Sequence, residues 1–336
     1  MGVQGWIAAG WQKRGLGPVL LLPLALAFAL SANLRRLAYR LGWASSVKLP
    51  VPVVVVGNIT AGGSGKTPLV IHLAQELSRR GWRPGIVSRG HGGNAQGVAA
   101  VSDSSEAAHV GDEPLLLARR AGCPVFIGRD RVAAARALLS AHPDCNVLLA
   151  DDGLQHLRLA RDVEIVVMDE RGIGNGWPLP AGPLRECPAR VAEADVLVLN
   201  GDAPVPSQVG PRRVFRMRLV GDRWRNLHDP LRTCGAAELR GRRLHALAGI
   251  GNPLRFFRQI EQMGLQAQSH AFPDHHAFRP SDLAFAGADT LLMTEKDAVK
   301  CSAFAPPETW VLPVEAQLDP DLAQWVVEKL NGPPPA

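Results

Sequence analysis

Aspartate and glutamate are missing from the first 75 residues of this 336-residue chain; the first acid is Glu76. The same stretch holds seven bases, Lys13, Arg14, Arg35, Arg36, Arg40, Lys48 and Lys66, and taking them from 37 leaves 30 bases against 31 acids. The formal charge of +6 therefore belongs to the amino-terminal segment. That distribution speaks against nucleic acid as a partner and for an anionic membrane surface. The five cysteines are odd in number and widely spaced, with no C-x-x-C pair, which excludes a disulfide scaffold or zinc ribbon and fits a reducing compartment. No internal repeat is present, and no low-complexity tract beyond a proline-rich tail.

What is present is a valine run, Val53 to Val56, feeding Gly57-Asn58-Ile59-Thr60-Ala61-Gly62-Gly63-Ser64-Gly65-Lys66-Thr67-Pro68. The β-branched run reads as a buried parallel strand. The glycines let successive N–H groups converge on a phosphate, Lys66 reaches the terminal phosphates, and the Thr67 hydroxyl is the expected magnesium ligand. Thr60 to Pro68 thus form a candidate ATP site. Thr60 stands where the strict P-loop pattern has glycine, and Gly62-Gly63 can supply the lost turn freedom.

Gly15 to Leu34 carries no charge and is flanked by Lys13-Arg14 and Arg35-Arg36. Its length just reaches across a hydrocarbon layer of about 30 Å. Trp6, Trp11, Tyr39 and Trp43 are placed as interfacial anchors. A spanning helix is expected, with a helix in one leaflet and a signal or packing helix as alternatives.

Downstream, strand and helix patterns alternate, predicting an α/β fold of the P-loop NTPase type: a doubly wound parallel sheet with a second, smaller α/β domain and an N-terminal membrane helix. The expected division is 1–48 membrane-associated, 49–205 P-loop core, and 206–336 a smaller domain forming a cleft with the core. That last segment includes a strand at Val214 to Leu219 and a closing helix at Leu322 to Leu330; residues 201–211 read as a linker. The glycine- and proline-rich stretch between Asp169 and Glu193 reads as a binding loop or as a tie for the sheet edge.

Asp151-Asp152 end an apolar strand, where a carboxylate complements Thr67 in holding Mg2+; Asp151 is expected nearest the metal. Asp112-Glu113 open a helix, either as favourable charge there or as the carboxylates that phosphoryl transfer to a hydroxyl requires. Phe272-Pro273-Asp274-His275-His276 offers imidazoles in a braced loop, a surface turn or a catalytic contributor, with zinc disfavoured because no thiolate joins them. Thr294-Glu295-Lys296-Asp297 has lysine and aspartate adjacent, which argues against guanine recognition. The residues by themselves describe a membrane-associated P-loop enzyme, a kinase ahead of an ATPase of the partitioning type or a nucleotide-sensing adaptor.

The phosphate loop, Gly111-Asp112-Glu113-Pro114, Asp151-Asp152-Gly153-Leu154-Gln155-His156, Leu179 to Glu186, Phe272-Pro273-Asp274-His275 and Thr294 to Asp297, in this order, resemble the tetraacyldisaccharide 4'-kinase family. That family phosphorylates the lipid A precursor in Gram-negative bacteria, and its Thr60-like position departs from the strict motif too. The resemblance implies an inner-membrane enzyme with catalytic domains on the cytoplasmic face. It implies ATP and Mg2+ as cofactors, an acylated disaccharide 1-phosphate lipid and the bilayer as partners, and no obligate protein partner. Carried over by motif, Asp112 is the general base, His275 its partner and Lys66 the neutralising cation, with Thr67, Glu113, Asp151 and Asp152 around the metal. Arg89, His91, Arg131, Gln155, His156 and Arg185 are substrate candidates, although Arg89-Gly90-His91-Gly92 is less basic and less aromatic than that family's loop.

Overall fold

The computed structural model describes residues 10–205, 213–287 and 289–331. Trp6, the end of the 201–211 linker and the proline-rich tail lie outside the described residues.

The valine run forms β1 (Val53–Gly57), central in a nine-stranded sheet. On one side it pairs in parallel with β5 (Val147–Asp151), and beyond that lie β2 (Pro84–Ser88), β4 (Val125–Ile127) and the antiparallel edge β3 (Ala99–Val101). On the other side it pairs with β6 (Val163–Asp169), followed by β7 (Val196–Asn200) and β8 (Val214–Val220), all parallel. Both faces are covered. Val54 and Val56 pack with Leu69, Leu73 and Leu77 of α3 (Lys66–Arg79), while Val53 and Val55 pack with Leu138 of α6 (Arg131–Ala141) and with Leu148. This is why an unbroken β-branched run is stable here: each valine buries its side chain completely, at about 1.5 kcal/mol or more apiece.

A second sheet of six strands has the order β10-β9-β14-β13-β11-β12. Its parallel centre is β11 (Leu244–Ala248), β13 (Thr290–Thr294) and β14 (Thr309–Leu312), with β12 (Ala267–Ala271) on one edge. The short strands β9 (Arg223–Asn226) and β10 (Thr233–Gly235) close the other edge. Two helices matter for the site: α9 (Pro253–Gln262) and α10 (Glu295–Cys301), which follows β13 directly.

Several expectations need correction. The strand at Val214–Val220 belongs to the first sheet, beside β7, and β15 (Glu315–Asp319) returns to pair antiparallel with it. The closing helix α11 (Leu322–Asn331) likewise joins the first core, with Leu322, Ala323 and Val326 buried in the cluster of Leu73 and Leu77. Alternation along a strand says which face is buried, not which sheet buries it.

The amino-terminal run is not one spanning helix. It divides at Leu21 into α1 (Leu16–Leu20) and α2 (Leu22–Arg40), with Pro23 in the first turn of the second, where its missing N–H costs nothing. The uncharged part of α2, Leu22 to Leu34, is about 20 Å long before Arg35 and Arg36 intervene, short of the ~30 Å hydrocarbon layer. Among the described residues no helix is long and apolar enough to cross a membrane. Leu16, Leu20, Leu24, Leu26, Leu30 and Leu34 are nevertheless exposed, more apolar surface than scattered leucines account for.

Candidate active site

The phosphate loop leaves β1 and is held from three directions. The segment after Asp169 forms one wall: Pro183 carbonyl accepts from Ala61 N–H at 2.7 Å, Leu184 bridges Thr60, and Ile59 carbonyl accepts from Arg185 N–H at 2.7 Å. From β7, Asn200 Nδ2 donates to the Ser64 carbonyl at 2.9 Å, and Arg255 of α9 donates to Asn200 Oδ1 at 2.8 Å. Arg171 donates to the Gly63 carbonyl at 2.7 Å and to the Gly251 carbonyl at 3.2 Å, tying the loop to the second sheet's connections. Gly65 sits at φ +95°, the left-handed turn that starts α3 with Lys66 and Thr67. Ala61 spends its N–H on Pro183 and Pro68 has none, so neither offers a phosphate donor; Pro68 lines a separate hollow with Ile71 and Val314.

Gly251 allows no side chain, because a Cβ there would stand 2.4 Å from the Gly63 N. Gly251→Ala should therefore push the second sheet's loop off the phosphate loop. A severalfold or greater rise in KM for ATP with smaller change in melting temperature is expected; an unchanged KM would mean that the contact is incidental.

Beside the loop, Lys66 Nζ lies 3.5 Å from Asp152 Oδ1, and Arg185 Nη1 donates to both Asp152 oxygens at 3.0 Å. Burial works against ionisation of Asp152, but Lys66 and Arg185 outweigh it and hold the carboxyl well below the usual range. Asp151, fully buried, is the reverse: burial first, then the Glu113 and Asp152 carboxylates, push it well above the usual carboxylate range. Asp151 accepts from Ser88 Oγ at 3.2 Å through Oδ2 while its buried Oδ1 has no partner. The two adjacent aspartates thus have different surroundings, because Asp151 ends β5 whereas Asp152 turns the chain with a left-handed backbone at φ +48°.

Across the cleft, the loop before His276 brings His275 to Asp112 at the start of α5 (Asp112–Ala121): Nδ1 lies 3.1 Å from each carboxylate oxygen. His275 holds a left-handed backbone, φ +58°, a conformation non-glycine residues adopt at a cost. Burial of Asp112 would raise its pKa, yet the hydrogen bond from His275 and the charges of Lys296 and Lys300 bring it down to about 2. The same bond raises His275. Lys296 bonds Glu113 Oε1 at 2.9 Å and Asp274 Oδ1 at 3.0 Å, and Arg120 of α5 pairs with Glu295, so α10 locks onto α5.

The cleft between these groups, about 900 Å³, runs from Gly62 and Lys66 past His275 and Arg131 to Phe28 and Arg35 of α2. Arg89, His91, Gln155, His156 and Arg185 also line it. His91 stands edge-on to His275, ring centroids 5.0 Å apart. Gln155 is committed to the Asn58 carbonyl at 3.0 Å and Glu186 at 2.7 Å. Buried Arg131 donates to the Gly128 carbonyl at 3.0 Å, leaves Nε without a partner and is lowered to about 10 by burial. Burial, with Arg131 beside it, takes His156 to about 4.

A sequence profile described as tetraacyldisaccharide-1-P 4'-kinase matches residues 18–331. The chain belongs to that family. The tetraacyldisaccharide 4'-kinase of Azoarcus sp. strain BH72 is 55% identical over 328 residues, 97% of this chain and 96% of that protein. That of Dechloromonas aromatica strain RCB is 53% identical over 333 residues, covering 97% and 98%. The crystal structure of LpxK from Aquifex aeolicus in complex with ATP superposes with a TM-score of 0.79 at 28% identity, over 94% of this chain and all of that one.

Against this family background the residues that the sequence reading missed stand out: Lys296, Lys300, Arg171, Asn200 and Arg255. Lys296 and Lys300 had a signal, since their spacing puts both ammoniums on one helical face. The other three had none. Asp297 is structural, accepting from Thr294 Oγ1 at 2.7 Å and Gly249 N–H at 3.0 Å. His276 braces its loop on Asp282 at 3.0 Å.

Proposed function

We propose that the protein is an ATP-dependent kinase that transfers the γ-phosphoryl group to the 4'-hydroxyl of a tetraacyldisaccharide 1-phosphate, the lipid A precursor, giving lipid IVA. The observation that carries the residue assignments is the Asp112–His275 pair, formed across the cleft that Lys66 also enters. Asp112 accepts the proton of the acceptor hydroxyl as its oxygen bonds to the γ-phosphorus and the bond to the β–γ bridging oxygen breaks. A carboxylate held near 2 is a weak base, which suffices because a loose phosphoryl transition state needs an oriented nucleophile more than a strong base. Lys66 neutralises charge on the transferred group.

Thr67, Glu113, Asp151 and Asp152 suit a magnesium ion: Asp151 has an orphaned buried oxygen, and burial, then the neighbouring Glu113 and Asp152 carboxylates, raise its pKa. Among the described residues no three His, Cys, Asp or Glu side chains form a ready cage, which accords with an ion held by one or two carboxylates, phosphates and water. These residues would hold the ion, and the chemistry it would supply is neutralisation of phosphate charge. A second cleft of about 900 Å³, bounded by Gly201, Asp202, Arg255 and Gln259, has room for the nucleoside.

The acceptor enters from the α2 end, its sugars in the cleft and its acyl chains along the exposed leucines. The protein works at the cytoplasmic face of the inner membrane, held by apolar contact and the basic amino-terminal segment. Replacing Leu20 and Leu24 together by aspartate should weaken binding to anionic vesicles at least about tenfold in sedimentation; undiminished binding would place the membrane contact elsewhere. The reaction is tested with labelled ATP, magnesium and the monophosphorylated disaccharide lipid beside a lipid-free control. Label in the lipid is expected, and ATP hydrolysis indifferent to lipid would overturn the reading.

A further inference from the structure

Lys296 is engaged on every side. Its ammonium has three protons, and two carboxylate acceptors and one ring nitrogen surround it: Glu113 Oε1 at 2.9 Å, Asp274 Oδ1 at 3.0 Å and His275 Nε2 at 3.4 Å. The first belongs to the P-loop core and the others to the loop after β12, so the ammonium's direction is set from both sides of the cleft. It is nearly buried, with a side-chain exposure of 13%, and faces the carboxylates of Glu113 and Asp274.

The consequence falls on the other nitrogen of His275. With the ring proton on Nε2, that N–H would face the Lys296 ammonium, donor against donor, while a bare Nδ1 lone pair would face two Asp112 oxygens 3.1 Å away. Asp274 Oδ2 gives no relief, lying 3.8 Å from Nε2, beyond hydrogen-bond reach. With the proton on Nδ1 both contacts become attractive. We infer that Lys296 is a positioning residue for phosphoryl transfer, fixing the His275 proton on Nδ1 and so aiming Asp112 at the acceptor hydroxyl. Lys300, whose Nζ is 3.8 Å from Asp112 Oδ2, adds charge but touches neither imidazole nitrogen within hydrogen-bond distance. This role rests on Asp112 being the base.

The test combines spectroscopy of the resting protein with kinetics. In protein carrying ¹⁵N-histidine, the His275 signals are assigned by their loss in His275→Gln, and the tautomer is read on the alkaline plateau of the ring's own ¹⁵N titration, where the ring has become neutral. Wild type should show Nδ1–H. Lys296→Met should show a mixture of tautomers and a kcat lower by about 10²-fold, with KM for ATP within about twofold. Lys296→Arg, which keeps a donor, should recover Nδ1–H and part of kcat. Nε2–H in wild type overturns the inference even if no variant folds. So does a Lys296→Met protein whose kcat falls with Nδ1–H intact, since the lysine would then be only a latch, or one whose tautomer changes with kcat unaffected. A wrong base assignment shows separately, as lipid phosphorylation surviving in Asp112→Asn.

Discussion

Asp112→Asn should lower phosphoryl transfer to the lipid by about 10²–10⁴-fold while leaving ATP affinity within about twofold. Asparagine keeps the shape and one acceptor for His275 Nδ1, so the cross-cleft hydrogen bond can persist. What disappears is the carboxylate proposed as the base, and with it a negative charge between His275, Lys296 and Lys300. Among the described residues no hydrogen bond or ion pair joins Asp112 to the phosphate loop, which should be undisturbed. Label transfer from ATP measures the first effect and nucleotide titration the second; wild-type transfer by the variant would end the assignment. A companion effect is on stability. Burial would raise the Asp112 pKa, but its partners hold it near 2 in the folded chain against 3.8 for an unperturbed aspartate. Folding is therefore favoured by about 2 kcal/mol above pH 4, and this is lost as pH falls from about 4 to about 2. Asp112→Asn should lack that acid-side loss in urea unfolding.

Lys66→Met should be as damaging to transfer, by about 10²–10³-fold in kcat/KM, but with a different signature. Methionine keeps most of the buried stem and removes the only charge that the phosphate loop itself carries. ATP affinity should then fall along with transfer, whereas in Asp112→Asn only transfer falls. Asp152 keeps Arg185 at 3.0 Å after the change, so it remains ionised, and the loss cannot be assigned to a neutralised aspartate. Comparing the two variants by nucleotide titration and label transfer separates charge on the phosphoryl group from proton removal at the acceptor. Near-normal ATP affinity in Lys66→Met would mean that the loop amides suffice for binding, and near-normal turnover would remove Lys66 from the mechanism.

The family resemblance was legible because its motifs are local: the P-loop, the carboxylates at strand and helix ends, and the His275 loop are each a few residues long. The alternation of Val53 to Val56 between two buried faces followed from β-branched composition. Other features could not be read that way. The run from Gly15 to Leu34 has the composition of a membrane span, but Pro23 and Arg35-Arg36 leave too short an uncharged helix, and its apolar side lies open instead. The strand at 214–220 and the helix at 322–331 have the right faces for either sheet, and pairing with β7 and packing on α3 decided between them.

By itself, then, the sequence determined the chemistry on offer: a phosphate loop, carboxylates at strand and helix ends, a basic amino terminus and an uncharged apolar run. These depend on residue type and short spacing, which the chain carries wherever it folds. The tertiary structure decided which groups meet. Glu113, Asp274, His275 and Lys296 come from segments far apart in the chain, and their protons and charges acquire direction only when α5, the loop after β12 and α10 close on one another. Hydrogen bonds reach about 3 Å, and nothing in a linear pattern specifies a distance that short between distant residues.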